Sequence, residues 1–408
     1  SAASDVYKRQ DKFSLSLSSH IFIFIFICYL LMFFLLPALA LLSGSLAFAS
    51  QITLSHTDRS NPDSFHAERR SLLNKYAAFS KRHFNSTGQH LDIVDLHYAD
   101  KQKRASGKAP LRYDTYWTGF IHVGFPPQAA PVVFDTGSSD LVLDKSFYNP
   151  KKSLSANNLN TPFDFSYINL HVYGDIYSDH VAIGHVNADN VPIGHGREDF
   201  DGDLAGGKLG LSFSTAENSA FNVKQDPFIW AAKKQHPIQS SSFQFTLRRN
   251  GKASLNVGDI DHSELAGPIS WADENADKTF WRTSVLLNGN KIENAIVDSG
   301  TNVITGPNDQ VKAVLDQLDG VWVEQSPDGT YQGRYSCQNP PKLSFTVAGQ
   351  TFTLPSDAIN FGYAGDKCFL AMGGTLGLND WILGSPFMEL GSVIFNYDTR
   401  RMGVAKAR

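Results

Sequence analysis

The 408-residue sequence predicts a mostly β protein with many turns. Charged residues make up only 19 %, while glycine (32 residues) and proline (18 residues) are frequent, a composition that suits short strands joined by turns. Residues 113–143 and 241–260 alternate apolar and polar residues between turn signals. Two apolar strands, far apart in the chain, also end in the same short polar motif. The length is sufficient for two lobes and a substantial core.

The repeated motif lies in VVFDTGSSD (132–140) and AIVDSGTNVITG (295–306). In each copy Asp is followed by a hydroxyl residue, a glycine and a second hydroxyl residue, and the glycine indicates a sharp turn after a buried strand. The second hydroxyls, Ser138 and Thr301, could hydrogen-bond the carboxylate three residues earlier. A single D-[ST]-G is common by chance. Two copies with the same apolar lead-in favour a functional pair over two turns in which Asp caps its own loop.

At these motifs the chain resembles the pepsin-like aspartic proteases, in particular the fungal secreted type, from about residue 113 to residue 408. The resemblance implies an all-β, bilobal fold with the active-site cleft between two related lobes. Five further segments carry the resemblance. In chain order they resemble the first hairpin of the family, its flap hairpin, the two apolar segments that cross under the Asp loops, and its closing strand. The segments are YWTGFIHVGFPPQ (116–128), FSYINLHVYGDIYSDHVAIG (165–184), KLGLSF (208–213), WILGSPFM (381–388) and VIFNYDTRRMGVAKA (393–407).

The resemblance implies that Asp135 and Asp298 are the catalytic pair, sharing one proton and activating a bound water. Pepsin is the standard example of such a pair. The flap tyrosine would be Tyr167, which would cover an extended peptide substrate. The resemblance also implies that residues of the two Asp loops support the pair. Thr136 and Ser299 would brace the loops against each other, and Ser138 and Thr301 would orient the carboxylates. Gly137 and Gly300 complete the two loops.

The sequence departs from the family pattern near the expected cleft. Ile168 and Leu170 stand where the flap has glycines, and Val142 replaces the tryptophan that follows the first motif. In the first crossing segment, Gly206 replaces an Asp and Lys208 replaces an apolar residue. The usual disulfide of the first lobe is also absent. These changes leave the acidic pair intact but make the finer substrate preference unpredictable.

Several other functions are excluded by composition and motifs. The net charge of −4, with no basic stripe, does not indicate a nucleic-acid partner. The 13 histidines form no H-E-x-x-H or Cys/His cluster, which argues against metal catalysis, and G-x-S-x-G is absent. The acidic stretch 194–207 lacks the last glutamate of a calcium loop and is interpreted as a solvated turn. We expect no cofactor beyond a catalytic water, polypeptide substrates, and a monomer.

The sequence contains three cysteines. Cys28 lies in the apolar N-terminal run, which leaves Cys337 and Cys368 as an even pair. They could be bonded or remain two reduced core residues. The family places a disulfide in this region of the second lobe, so the resemblance favours the bond.

Residues 1–49 are expected to be a signal peptide region. Residues 21–42 are almost wholly apolar, and A-F-A at 47–49 offers a cleavage site before Ser50. Met32 is an alternative start, which would make residues 1–31 an upstream translation or assembly artefact. The expected destination is extracellular. A retained apolar run would instead span a bilayer and make the protein membrane-anchored, and a vacuolar destination is a further alternative.

Residues 50–104 are expected to be a propeptide. They contain HAERRSLLNKYAAFSKRHF (66–84), with apolar residues at roughly helical spacing and a basic opposite face, and they end at the dibasic pair Lys103-Arg104. A basic helix laid across an acidic cleft would neutralise the pair and fill the substrate groove. The alternative is a solvated amphipathic linker.

Within that helix, Lys75 and Tyr76 are the candidate blocking residues, and Lys81 or Arg82 are the alternatives.

The expected lobes are residues 105–265, with the first Asp and the flap, and residues 266–408, with the second. The leading hypothesis is a secreted aspartic endopeptidase, made as a zymogen and active at acidic pH. The alternatives are a catalytically weak or inactive pepsin-like binding protein and a membrane-anchored processing protease.

Overall fold

The described part of the chain in the computed structural model is mostly β and bilobal. It comprises residues 50–54, 62–89, 91–96, 116–166, 171–197, 206–213, 219, 221, 223–235, 238, 240–249, 253–275 and 279–408. Residues 1–49, the flap positions Tyr167, Ile168 and Leu170, and the dibasic pair Lys103-Arg104 lie outside it, so the predictions made for them remain predictions.

The strands, in chain order, are β1 Ser50–Leu54, β2 Thr118–Val123, β3 Gln128–Asp135, β4 Leu141–Leu143, β5 Asn157–Ser166, β6 His171–Ile183, β7 Val186–Gly196, β8 Gly207–Gly210, β9 Ser242–Thr246, β10 Ala253–Val257, β11 Ser270–Trp271, β12 Arg282–Leu287, β13 Asn290–Val297, β14 Ile304–Pro307, β15 Val321–Gln325, β16 Tyr331–Ser336, β17 Ser344–Val347, β18 Gln350–Thr353, β19 Asn360–Ala364, β20 Lys367–Thr375, β21 Ile382–Leu383, β22 Ser392–Asn396 and β23 Arg401–Ala405. The α-helices are α1 Pro62–Thr87, α2 Phe228–Gln235, α3 Asn308–Leu315 and α4 Ser385–Met388.

Three sheets account for these strands in the described residues. The first lobe holds a seven-stranded sheet in the order β2-β3-β8-β4-β7-β6-β5. The second lobe holds a ten-stranded sheet, in the order β15-β16-β20-β14-β21-β13-β12-β17-β18 with β19 beside β20. A six-stranded sheet, β1-β10-β9-β22-β23-β11, draws strands from both halves of the chain. The two lobes are therefore tied together by a shared sheet.

Apolar side chains on alternating positions of these strands form the core. In β2 and β12 the residues alternate between buried and less buried positions, as expected for strands with one face toward the core. Aromatic rings fill the region where the shared sheet meets both lobes. Phe243 stacks on Phe395 with ring centroids 4.8 Å apart, and Trp281 is 5.1 Å from Phe395.

The predicted basic helix is present with shifted ends, since it extends over Pro62–Thr87, beyond residues 66–84. Helix α2, Phe228–Gln235, begins directly after Pro227. Strand β1 has no counterpart among the predictions. It pairs antiparallel with β10 over its whole length, from Ser50 opposite Val257 to Leu54 opposite Ala253.

Cys337 and Cys368 form a disulfide in the second lobe. Cys368 lies on β20 directly opposite Tyr335 of β16, and Cys337 follows that strand. The bond therefore ties the end of β16 to its neighbouring strand.

Candidate active site

Asp135 and Asp298 occupy equivalent points of a repeated strand arrangement. Asp135 ends β3, which lies parallel to β8, and Asp298 follows β13, which lies parallel to β21. The apolar strands carry both acids into the interior, where they are 1 % and 0 % exposed. Because a buried carboxylate is costly without hydrogen bonds or opposite charge, both acids require partners.

The first hydroxyl residues of the two motifs brace the loops against each other. Thr136 Oγ1 donates to the Val297 carbonyl at 2.8 Å and accepts from Ser299 N at 2.9 Å. In the matching half, Ser299 Oγ donates to the Phe134 carbonyl at 2.6 Å and accepts from Thr136 N at 2.9 Å. These four buried bonds join the two lobes beside the acids.

The second hydroxyl residues orient the carboxylates. Ser138 Oγ donates to Asp135 Oδ2 at 2.6 Å, and Thr301 Oγ1 donates to Asp298 Oδ2 at 2.8 Å. Each hydroxyl lies three residues past its acid in the chain. The two Asp loops therefore make equivalent hydrogen bonds to their carboxylates.

The glycines of the motifs let the two carboxyl groups approach each other. Gly137 N donates to Asp135 Oδ1 and Gly300 N donates to Asp298 Oδ1, each at 3.0 Å. A Cβ on Gly137 would lie 2.4 Å from Cγ of Asp298, and a Cβ on Gly300 would lie 2.3 Å from Oδ1 of Asp135. Each loop glycine therefore lies against the carboxyl group of the opposite loop, and the two carboxyl groups form one facing pair across the lobes.

Lys75 of α1 lies between these carboxyl groups. Its Nζ is 2.9 Å from Asp135 Oδ1, 3.1 Å from Asp298 Oδ1 and 2.9 Å from Asp298 Oδ2. Its side chain is 12 % exposed. Lys81, a sequence alternative, lies on an exposed face of the same helix, and Arg82 is half-buried. The helix therefore presents Lys75 to the acids.

Tyr76 accompanies Lys75 in the site. Its hydroxyl donates to Asp298 Oδ2 at 3.0 Å, and its ring packs edge-on against Phe280 with centroids 5.3 Å apart. The ring of Phe79 also packs against that of Phe280, with centroids 4.5 Å apart. The buried apolar face of α1 shares one cluster with both the second lobe and the segment after the helix: Leu72, Leu73, Tyr76, Ala77, Phe79, Ile93, Val94, Phe280, Ile296, Leu378 and Ile382.

The first turns of α1 are anchored by buried polar groups. Glu68 accepts from Asn302 N and from the Tyr116 hydroxyl, each at 3.0 Å, and Arg69 donates to the Gly374 carbonyl. Burial raises the pKa of Glu68 to about 7, although both hydrogen bonds act in the opposite direction. Glu68 therefore binds a proton more readily than an ordinary glutamate does.

A second lysine reaches the acidic pair from the body of the first lobe. Lys208 Nζ lies 3.2 Å from Asp135 Oδ2, and its side chain is 8 % exposed. Lys208 belongs to β8, next to the strand that carries Asp135.

The two acids differ in their ionisation. Burial by itself would raise the pKa of Asp135, but Lys75, Lys208 and hydrogen bonds from Asp298 and Ser138 outweigh it and hold that pKa well below its usual range. Burial raises the pKa of Asp298, and the neighbouring Asp135 adds to the rise although Lys75 opposes it. Asp135 is therefore the ionised member and Asp298 the one that retains a proton more readily.

The structure brings together the predicted loop residues and Lys75 with Tyr76. Sequence reasoning recorded Lys208 only as a departure, because a lone lysine in a strand gives no sign of its target. It assigned no role to Glu68. A glutamate seven residues before Lys75 lies two turns away on the same helix face, and this spacing was the available signal.

The described residues contain no cluster of three or more His, Cys, Asp or Glu side chains arranged to hold a metal ion. None of the helices within the described ranges has the length and hydrophobicity that a membrane crossing requires.

The chain is similar to known proteins over most of its length. The family model "Eukaryotic aspartyl protease" matches residues 116–407. "Secreted aspartyl protease 1" of Malassezia globosa is 32 % identical over 342 residues, covering 82 % of this chain and 85 % of that protein. "Probable inactive secreted aspartyl protease" of the same fungus is 28 % identical, covering 72 % and 78 %. "Chymosin" of Camelus dromedarius is 27 % identical, covering 77 % and 87 %.

The family match, the bilobal β fold and the facing pair of acids all indicate the same family. The chain belongs to the eukaryotic aspartyl protease family and is a pepsin-like aspartic endopeptidase of the fungal secreted type.

Proposed function

We propose that this protein is the zymogen of a secreted, acid-active endopeptidase whose catalytic groups are Asp135 and Asp298. The observation that carries the proposal is the symmetric, facing pair of carboxyl groups with Lys75 seated between them. Two such groups cannot both ionise easily at short range, so they share one proton over an acidic range.

In the processed enzyme the ionised carboxylate accepts a proton from a bound water, and the protonated partner polarises the scissile carbonyl. Attack by the water gives a tetrahedral diol, and the pair then protonates the leaving amine. No covalent intermediate forms. Gly137 N and Gly300 N, together with the Ser138 and Thr301 hydroxyls, hold the carboxyl groups in place through these steps.

The segment 50–104 is proposed as the inhibitory propeptide. Lys75 occupies the position between the carboxyls that the catalytic water requires, and it neutralises their charge. Cleavage at Lys103-Arg104 would separate this segment from the enzyme. Residues 1–49 would direct export, consistent with the secreted relatives. We propose a monomer that acts on extended polypeptides, with Tyr167 as the flap tyrosine.

The proposal is tested with the full chain, purified, acidified until the N-terminal segment is removed, and incubated with denatured globin. We expect cleavage at acidic pH, inhibition by a statine-type compound, and loss of cleavage in Asp298→Asn with unchanged thermal unfolding. A processed, folded wild-type protein that is inert across the acidic range would instead favour a pepsin-like binding protein.

A further inference from the structure

Lys208 is fixed beside the acidic pair by the first lobe itself. In the sheet it lies opposite Val133 of β3 and Val142 of β4, so strands on both sides hold its backbone. Its Nζ lies 3.2 Å from Asp135 Oδ2, the same oxygen that accepts from Ser138 Oγ. The two lysines therefore contact different oxygens of Asp135, Lys75 at Oδ1 and Lys208 at Oδ2.

The strand that carries Lys208 has little room to move. A Cβ on Gly207 would lie 2.6 Å from the Val142 carbonyl oxygen, and a Cβ on Gly210 would lie 2.4 Å from the Ser139 carbonyl carbon. Such close backbone packing keeps β8 against β4. Removal of α1 would take Lys75 away but would leave Lys208 in the first lobe.

The net charge around the two carboxyl groups changes once Lys75 is gone. With both lysines present, two ammonium groups face two carboxyl groups. After Lys75 leaves, the pair holding one proton carries a single negative charge, which Lys208 balances. Other polar and charged groups also face the pair or its partners from the surrounding elements: Ser138, Thr301, Tyr76, Glu68 and Arg282.

We propose that Lys208 is a positioning residue of the processed site, holding Asp135 as the ionised carboxylate and moving the pH range of catalysis toward acid. This rests on the proposed function, since it assumes that the two acids activate water. A fixed cation favours loss of both protons of the pair. It therefore lowers both pH limits of activity relative to a site without the cation.

The test compares Lys208→Met and Lys208→Gln with Lys208→Arg and the wild type. The pH profile of kcat/KM is measured on processed enzyme with an uncharged fluorogenic peptide. The neutral variants should move both limits of the bell upward by about one to three pH units, the range typical of a nearby opposite charge. Lys208→Arg should keep the wild-type profile. The control Lys145→Met removes an equal charge from an exposed position of the same lobe and should also keep it.

Active neutral variants with unmoved limits would overturn the inference, and so would a downward shift. A purely structural role would lower activity at every pH without moving the limits. If one neutral variant fails to fold, the other carries the same prediction. If both fail while Lys208→Arg folds and keeps the profile, the charge is needed for the fold, which equally overturns the inference. An inert processed wild type would instead remove the proposed function.

Discussion

The contact between Lys75 and the two acids predicts a large effect of Lys75→Met on the closed state of the zymogen. Lys75 is 12 % exposed and lies within 2.9 to 3.1 Å of three carboxylate oxygens. Removing one partner from a buried ion pair costs about 3–5 kcal/mol when a charge loses its counterion. Lys208 remains beside Asp135 in Lys75→Met, so the Asp298 carboxyl is the group that loses its ion pair. A loss of about 4 kcal/mol would raise the fraction of molecules with an open cleft roughly 1,000-fold.

The assay is the binding of a labelled statine-type inhibitor to the full-length, unprocessed chain at neutral pH. Apparent affinity rises with the fraction of open molecules, so Lys75→Met should bind roughly 1,000-fold more tightly than wild type. Lys81→Met is the matched control, since it removes the same charge from an exposed position of the same helix. It should change the affinity only a few-fold. Equal affinities for Lys75→Met and Lys81→Met would refute the assignment of Lys75 as the blocking residue.

The contribution of the ion pair depends on pH with a defined sign. Burial lowers the pKa of Lys75, but the two acids raise it by more, so Lys75 stays charged. Its contribution to the stability of the closed state is therefore fully present throughout the acidic and neutral range. The depressed pKa of Asp135 means that its contribution is present above the ordinary carboxyl range, near pH 4, and is lost as pH falls below it. The difference between Lys75→Met and wild type should therefore shrink in strong acid.

Three further predictions concern Glu68, Gly137 and the disulfide. Because burial raises the pKa of Glu68 to about 7, its charge opposes helix docking above that pH, and the opposition is relieved as pH falls toward 4.5. Glu68→Gln should stabilise the docked helix at pH 8 by up to about 3 kcal/mol and so weaken inhibitor binding to the full-length chain, with no difference near pH 4. Equal inhibitor affinities of Glu68→Gln and wild type at pH 8 would contradict this. Gly137→Ala places a Cβ 2.4 Å from Cγ of Asp298, so kcat/KM should fall at least about 100-fold, and near wild-type kinetics would show that the acids do not need this approach. Cys337→Ser opens a 31-residue loop and should lower the free energy of unfolding in urea by about 4 kcal/mol; an unchanged midpoint would remove the disulfide from the account of stability.

The sequence was most informative where local pattern and chemistry coincide. Two apolar strands ending in Asp, hydroxyl, Gly and hydroxyl define the loops around Asp135 and Asp298, and the structure brings these loops together. The helical spacing around Lys75 likewise predicted α1. Each copy of the motif and the helical pattern is a short run of consecutive residues, and the recurrence of the motif at 132–140 and 295–306 indicates that the two loops act together.

Features that depend on distant partners could not be read from the sequence. Strand β1 is only five residues long and becomes a strand by pairing with β10, about 200 residues later. Lys208 meets Asp135 only because β8 and β3 are neighbours in the sheet, and nothing in its flanking residues indicates that neighbour. The raised pKa of Glu68 likewise results from burial against Asn302 and Tyr116. Tertiary contacts set these properties, and the local sequence is compatible with many such contacts.

We propose that Asp135 and Asp298 act as one unit on one water. This proposal is tested by measuring kcat/KM of processed Asp135→Asn, Asp298→Asn and the double variant on one peptide at acidic pH. Each single variant should lose roughly 1,000-fold or more, and the double variant should lose no more than the weaker single variant. Activity within ten-fold of wild type in either single variant, or losses that multiply in the double variant, would contradict the account.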